Sequence, residues 1–192
     1  MSNQKKNGNP TAESIDLPAF AGRIWSVKFD EPEISSDAGL AAVGASGVGD
    51  KLLAAITAAI VDPRRNPDHP LSELISQRVY QIIGGYYDAD DCDHLREDVV
   101  VRSLAERELE EGALASQPTM SRLENRVTRA DLLRIAEAIF ANYLDQFKDR
   151  PPAMICIDMD PSAHLTYGQQ QLSLFNSHVG DHCLMPFYIF DG

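Results

Sequence analysis

The chain is short of the residues that mark exported, membrane and nucleic-acid-coating proteins. Only three of its 192 residues are cysteine, too few for a disulfide scaffold. No apolar run approaches the roughly 18 residues needed to span a bilayer. The opening MSNQKKNGNP has no apolar stretch behind its lysines, so it does not read as a secretory signal. Basic residues are scarce: 17 Lys and Arg stand against 29 Asp and Glu, a formal net charge of −12. A generic nucleic-acid coat shows the opposite balance. Aromatics make up 7% and there is one tryptophan. What remains is globular in composition, 44% hydrophobic and 24% charged. The length suits one ordinary domain or two small ones in a reducing compartment.

The first residues are polar and read as a disordered tail over 1–23. A short strand is expected over 24–29, running into a turn at Pro32. Asp37 is placed to cap a helical stretch through Val43, which Gly44, Gly47 and Gly49 interrupt. A second helix is expected over 50–61, then a loop with three prolines to Pro70. Leu74, Ile75, Val79, Ile82 and Ile83 recur near a 3.6-residue period, and Gly84-Gly85 weakens that helix's end. The acidic run from Asp88 to Asp98 reads as a solvated surface. VVVRSLAERELEEGAL reads as a helix closed by Gly112. Thr128 is placed to cap a long helix with a broad apolar stripe from Leu132 to Phe147, ended by Pro151-Pro152. Beyond that double proline the pattern changes. AMICIDMD reads as a buried strand, and DHCLMPFYIFDG as another that Pro186 demotes to an edge or a bulge.

Two features carry chemistry. Asp158 and Asp160 lie at the end of AMICIDMD. Side chains alternate along a strand, so both point to one face with Cα atoms about 6.6 Å apart. Such a pair suits a hard divalent cation, and equally a solvated strand end. The second is LASQPTMSRLENRV. ERELEEGALA followed by SQPT and a helix from Thr119 or Ser121 has helix-turn-helix grammar. That helix would carry Arg122, Asn125 and Arg126, with Arg129 close to the same face. An ordinary helix capped through Ser121 and Glu124 explains the same residues. His164, His178, His182 and Cys183 match no standard zinc spacing, Cys92 and His94 read as loop residues, and Cys156 reads as a core residue. AVGASGVGDK lacks the ending of a phosphate-binding loop.

In order along the chain, FDEPEISSDAGL, QRVYQIIGGYYDADDCDHLRED, LASQPTMSRLENRV and YGQQQLSLFNSHVGDHCLMPFYIFDG resemble the N-terminal part of a bacterial insertion-sequence transposase of the DDE-domain group 1 type. The resemblance implies a mixed α/β architecture: a mainly helical DNA-binding region over 24–150, then the first strands of an incomplete ribonuclease-H-like catalytic domain over 151–192. It implies an Asp, Asp, Glu triad holding Mg²⁺ and cutting and joining DNA strands. The family's first aspartate, in a D-x-D-x-T context, corresponds to Asp160 in Asp158-Met159-Asp160-Pro161-Ser162, with Ser162 in place of the usual Thr. Asp160 is thereby the catalytic, metal-binding residue and Asp158 a second metal ligand or support. Double-stranded DNA, in the form of transposon terminal repeats, is the implied partner, alongside a second copy or a longer transposase. The implied setting is the bacterial cytoplasm and nucleoid, with no membrane.

On the same resemblance the second aspartate and the Glu are expected downstream of Gly192, which makes the chain a truncated transposase. A non-catalytic regulator that binds DNA or oligomerises, or a decayed remnant, are the alternatives. The charge is uneven in a way that suits DNA contact. From Asp62 to Glu110 there are 12 acidic and 6 basic residues, a balance of −6. From Gln117 to Arg150 there are 5 acidic and 6 basic, a balance of +1.

Overall fold

A computed structural model describes residues 14–20, 22–28, 35–47, 49–168, 170 and 172–191. It divides into two compact units, one ending at Asp145 and the other beginning at Gln146. The disordered reading of residues 1–13 lies outside the described residues. The rest of that tail is corrected. Strand β1 (Ile15–Phe20) pairs antiparallel with β2 (Arg23–Val27), Leu17 lying opposite Trp25. Alternating Ile15 and Leu17 supply the strand pattern, and Gly22, at φ 68°, makes the turn that only a residue without Cβ enters freely.

Seven helices follow among the described residues: α1 (Gly39–Ala45), α2 (Asp50–Ala59), α3 (Leu71–Ile83), α4 (Cys92–Leu95), α5 (Val99–Leu104), α6 (Gln117–Arg126) and α7 (Arg129–Asp145). Asp37 is not the cap of α1. Its main-chain carbonyl accepts from Leu40 N, and its carboxylate accepts from the Tyr86 hydroxyl at 3.1 Å. The buried face of α3 runs through Glu73, Leu74, Gln77, Tyr80 and Gln81, while Ile82 and Ile83 are exposed. Two glutamines thus occupy core positions, and each is held by hydrogen bonds. Gln77 donates to Ala115 O at 2.9 Å and accepts from Ala115 N at 3.1 Å. Gln81 accepts from the Cys92 thiol at 3.2 Å, so Cys92 is a fully buried helix residue and not a loop residue.

Gly84-Gly85 ends α3 in a defined cap. Gly85 sits at φ 91°, and Tyr86 N and Gly85 N return to the carbonyls of Gln81 and Ile82. The helix expected to run to Gly112 instead stops at Leu104. Asp98 caps its start, accepting from Val100 N and Val101 N. Glu106 takes the left-handed position at φ 60°, with Glu106 N and Arg107 N bonded to Ser103 O and Arg102 O. Only a 3-10 turn, Leu109–Glu111, follows.

Two apolar clusters hold the helical unit. One gathers Leu40, Tyr80, Val101, Leu104 and Leu114, the other Ile56, Leu74, Ile75, Cys92, Met120 and Leu123. Each fully buried Leu or Met contributes about 1.5–3 kcal/mol. Thr128 caps α7 as expected. Its hydroxyl accepts from Asp131 N at 3.2 Å, and the Asp131 carboxylate accepts from Thr128 N at 2.8 Å. The Thr128 hydroxyl also donates to that carboxylate at 2.6 Å, and this bond, followed by the one from Thr128 N, lowers the pKa of Asp131. Only part of the broad apolar stripe of α7 is covered among the described residues. Ile135 packs on the second cluster, whereas Leu132, Leu133, Ile139, Phe140 and Leu144 remain exposed. Among the described residues no single helix is long and apolar enough to cross a membrane.

The second unit is built of short strands. β3 (Ile157–Pro161) pairs antiparallel with β7 (Phe187–Asp191), and β4 (His164–Leu165), β6 (Asp181–Leu184) and β5 (Leu174–Asn176) form a three-stranded sheet in that order. AMICIDMD is therefore not a buried strand. It becomes extended pairing only at Ile157, and every residue of β3 is exposed. Cys156 lies outside it and is exposed, not core. Cys183 is buried in β6 and His182 lies on the same strand, its ring 5.5 Å from Phe175. Pro186 neither edges nor bulges one strand. It separates β6 from β7, which join different sheets.

Candidate functional site

β3 carries the aspartates. In its register with β7, Asp158 lies opposite Phe190 and Asp160 opposite Tyr188. Paired residues of an antiparallel ladder share a face. Asp158, Asp160, Tyr188 and Phe190 therefore form one side of the ribbon. Asp191, opposite Ile157, belongs to the other. Tyr188 and Phe190 stack with ring centroids 6.4 Å apart and planes 18° from parallel. His164 Nε2 lies 3.2 Å from the Tyr188 hydroxyl. The aromatic pair was missed in the sequence, although the alternation in FYIFD, paired with IDMDP, places it beside the carboxylates.

Both aspartates are exposed, and neither makes an ion pair among the described residues. Two open carboxylates are the donor type a hard divalent cation takes. They number two: no group of three or more His, Cys, Asp or Glu among the described residues converges to hold a metal ion.

The other sequence-derived residues lie on α6 and α7, in the helical unit. The helix-turn-helix grammar is corrected. What precedes α6 is the 3-10 turn and an extended segment, not a helix, and α6 starts at Gln117 with Pro118 in its first turn. Proline is favoured there because a first-turn N–H needs no helical partner. Two residues unseen in the sequence hold that start: Gln77 grips Ala115, and Asp93 accepts from Gln117 N at 3.0 Å. Met120 and Leu123 are buried, which turns Arg122 and Asn125 outward into solvent. The Asn125 amide donates to Ser121 O at 2.8 Å. Arg126 turns back to Asp62 at 3.5 Å, beside Arg64. Val127, at ψ 123°, ends α6. Arg129 consequently opens α7 and is not on the Arg122 face, since no single helix spans both. Asp62 is held down to about 2 from 3.8, chiefly by hydrogen bonds from the Arg64 side chain, with further help from the charges of Arg64 and Arg126.

The model of one family, transposase DDE domain group 1, matches residues 18–192. The chain belongs to that family. No curated protein and no solved structure matches it. A DDE transposase works in DNA transposition, so DNA is its substrate class and a divalent metal its normal cofactor. Mixed helices and small sheets are compatible with that membership.

Proposed function

We propose that the chain contributes to DNA transposition through metal-assisted phosphodiester chemistry, with β3 and β7 as the first strands of a ribonuclease-H-like sheet. The observation that carries this reading is the placement of Asp158 and Asp160. Both are open to solvent on one face of a paired strand, inside the segment that the family model matches. Asp160 is the metal-binding catalytic carboxylate and Asp158 its same-face ligand or support. Bound Mg²⁺ supplies Lewis-acid polarisation of a phosphodiester and activation of a water or a 3′-hydroxyl. The protein's own part is to keep two carboxylates one pleat repeat apart on a hydrogen-bonded strand, which limits the reorganisation needed to bind.

In this reading residues 24–150 contact the terminal repeats and 151–192 belong to the catalytic domain. Arg122 and Asn125 are the outward DNA-facing residues of α6. Arg126 and Arg129 support phosphate contact from the end of α6 and the start of α7. Binding is salt-sensitive, since each neutralised phosphate releases counterions.

The test is calorimetric titration of Mg²⁺ into the chain bound to transposon-end duplex. Saturable uptake lost in Asp160→Ala and retained in Arg122→Ala is expected. Uptake unchanged in Asp160→Ala overturns the assignment. A second reading, an oligomerising regulator of transposition, draws on the exposed apolar side of α7. A monomer in sedimentation equilibrium, with and without terminal-repeat DNA, rules it out.

A further inference from the structure

The two faces of the β3–β7 ribbon differ in what can cover them. One carries Ile157, Met159, Phe187 and Ile189, all exposed, with a single charge, Asp191, at the end of the ladder. An apolar layer can dry that face at little cost. The other carries Asp158 and Asp160, each directly opposite a ring, Phe190 and Tyr188. A layer over it would bury two carboxylates without cations, which is strongly unfavourable. That face is therefore the wet one. Its rings stand in water, Tyr188 43% exposed and Phe190 56%.

The rings are held as a pair. They stack with centroids 6.4 Å apart and planes 18° from parallel, within the range of offset stacking. On Tyr188 the His164 ring lies 6.3 Å away, tilted by 53°, with Nε2 3.2 Å from the hydroxyl. Ser162 N donates to Pro186 O at 3.1 Å and extends the ladder past Pro161 and Phe187. Tyr188 is thus fixed at its ring and at its tip, so little side-chain freedom is lost when a ligand lies against it. Cross-strand neighbours have Cβ atoms about 4.5–5.5 Å apart. Each ring therefore starts beside a carboxylate.

We infer that Tyr188 and Phe190 form a stacking platform for an unpaired base of the DNA strand whose phosphate is held at Asp158 and Asp160. The inference rests on the reading of those aspartates as metal ligands. Carboxylates repel a phosphate, and a divalent cation between them reverses the sign. A base attached to that phosphate then hangs within reach of the rings. Every base has a π-face, so the contact tolerates any sequence. Inside a duplex a base is already stacked on both sides. The platform therefore takes a base from a single-stranded or frayed end, or one rotated out of the helix.

The experiment titrates the whole chain into a short single strand with a fluorescent aminopurine at one end and a dye at the other, in Mg²⁺ and in EDTA. Aminopurine quenching reports stacking, and dye anisotropy reports binding. Saturable quenching is expected, with binding about tenfold weaker in Tyr188→Leu and in Phe190→Leu. An aminopurine inside a blunt duplex should not respond. Tyr188→Trp, which keeps an aromatic face, should retain the quenching, and Ile189→Thr, on the other face, should leave it unchanged. Asp160→Asn should remove the effect of Mg²⁺ and keep the quenching at saturation. Quenching that is equal in Mg²⁺ and EDTA but lost in Tyr188→Leu supports the platform and removes the metal assignment. Binding without quenching, no binding in Mg²⁺, quenching unchanged in both leucine variants, or a loss in Tyr188→Trp equal to that in Tyr188→Leu overturns the proposal.

Discussion

At the residue scale, Asp62 is the group whose environment is most clearly set by charge. It holds Arg64 at 2.7 Å and faces Arg126 at 3.5 Å. Its folded pKa of about 2 lies below the ordinary 3.8. Stability that depends on this carboxylate is therefore complete above the ordinary value and is lost as pH falls towards 2. Urea midpoints measured from pH 6 down to pH 2 should fall more steeply for the native chain than for Asp62→Asn; parallel profiles would contradict the assignment. Glu106 gives a second residue-scale prediction. It occupies a left-handed position that glycine enters without Cβ strain, as Gly85 does at the end of α3. Glu106→Gly should raise unfolding free energy by about 0.5–1 kcal/mol, the relieved strain exceeding the added chain entropy. Equilibrium denaturation checks the sign.

At the element scale, α7 separates what pattern can tell from what it cannot. Its start was legible, because Thr128 followed three residues later by Asp131 is a capping grammar that depends only on neighbours. Its buried side was not. Apolar residues lie around so much of the helix that periodicity selects no single face, and packing on α2 takes the arc through Asp131 and Ile135. The consequence is measurable. Ile135→Ala should cost about 1–2 kcal/mol, whereas Leu133→Ser, on the exposed side, should stay within about 0.5 kcal/mol in the isolated chain. The same distinction explains α5 and α6. Leu104 to Gly112 has helical composition, but the Glu106 cap and the hydrogen bonds of Arg107 to Gly112 O and Glu111 O stop the helix. Those are nonperiodic contacts that no local pattern announces. The buried role of Gln77 was equally hidden, because a polar residue enters a core only when a distant main-chain group, here at Ala115, is there to satisfy it.

At the scale of the whole molecule, the residues of the candidate metal site lie in the second unit and the arginines of α6 and α7 in the first. The aspartate pair was legible from strand alternation alone. The strand's exposure was not, since an apolar segment is buried only if another layer covers it, and among the described residues β3 pairs with β7 alone. The aromatic neighbours of the aspartates also needed the register, which sets Asp160 opposite Tyr188 and Asp158 opposite Phe190 across a long stretch of chain. The family match makes this a DDE transposase, and we propose Asp160 on β3 as its metal ligand. The most direct measurement is paramagnetic broadening by Mn²⁺ at low occupancy, read along the amide resonances of the chain. Broadening centred on residues 158–160 and on Tyr188 to Phe190, abolished in Asp160→Ala, is the predicted result. Broadening that leaves those two strands untouched, or that persists unchanged in Asp160→Ala, would contradict it.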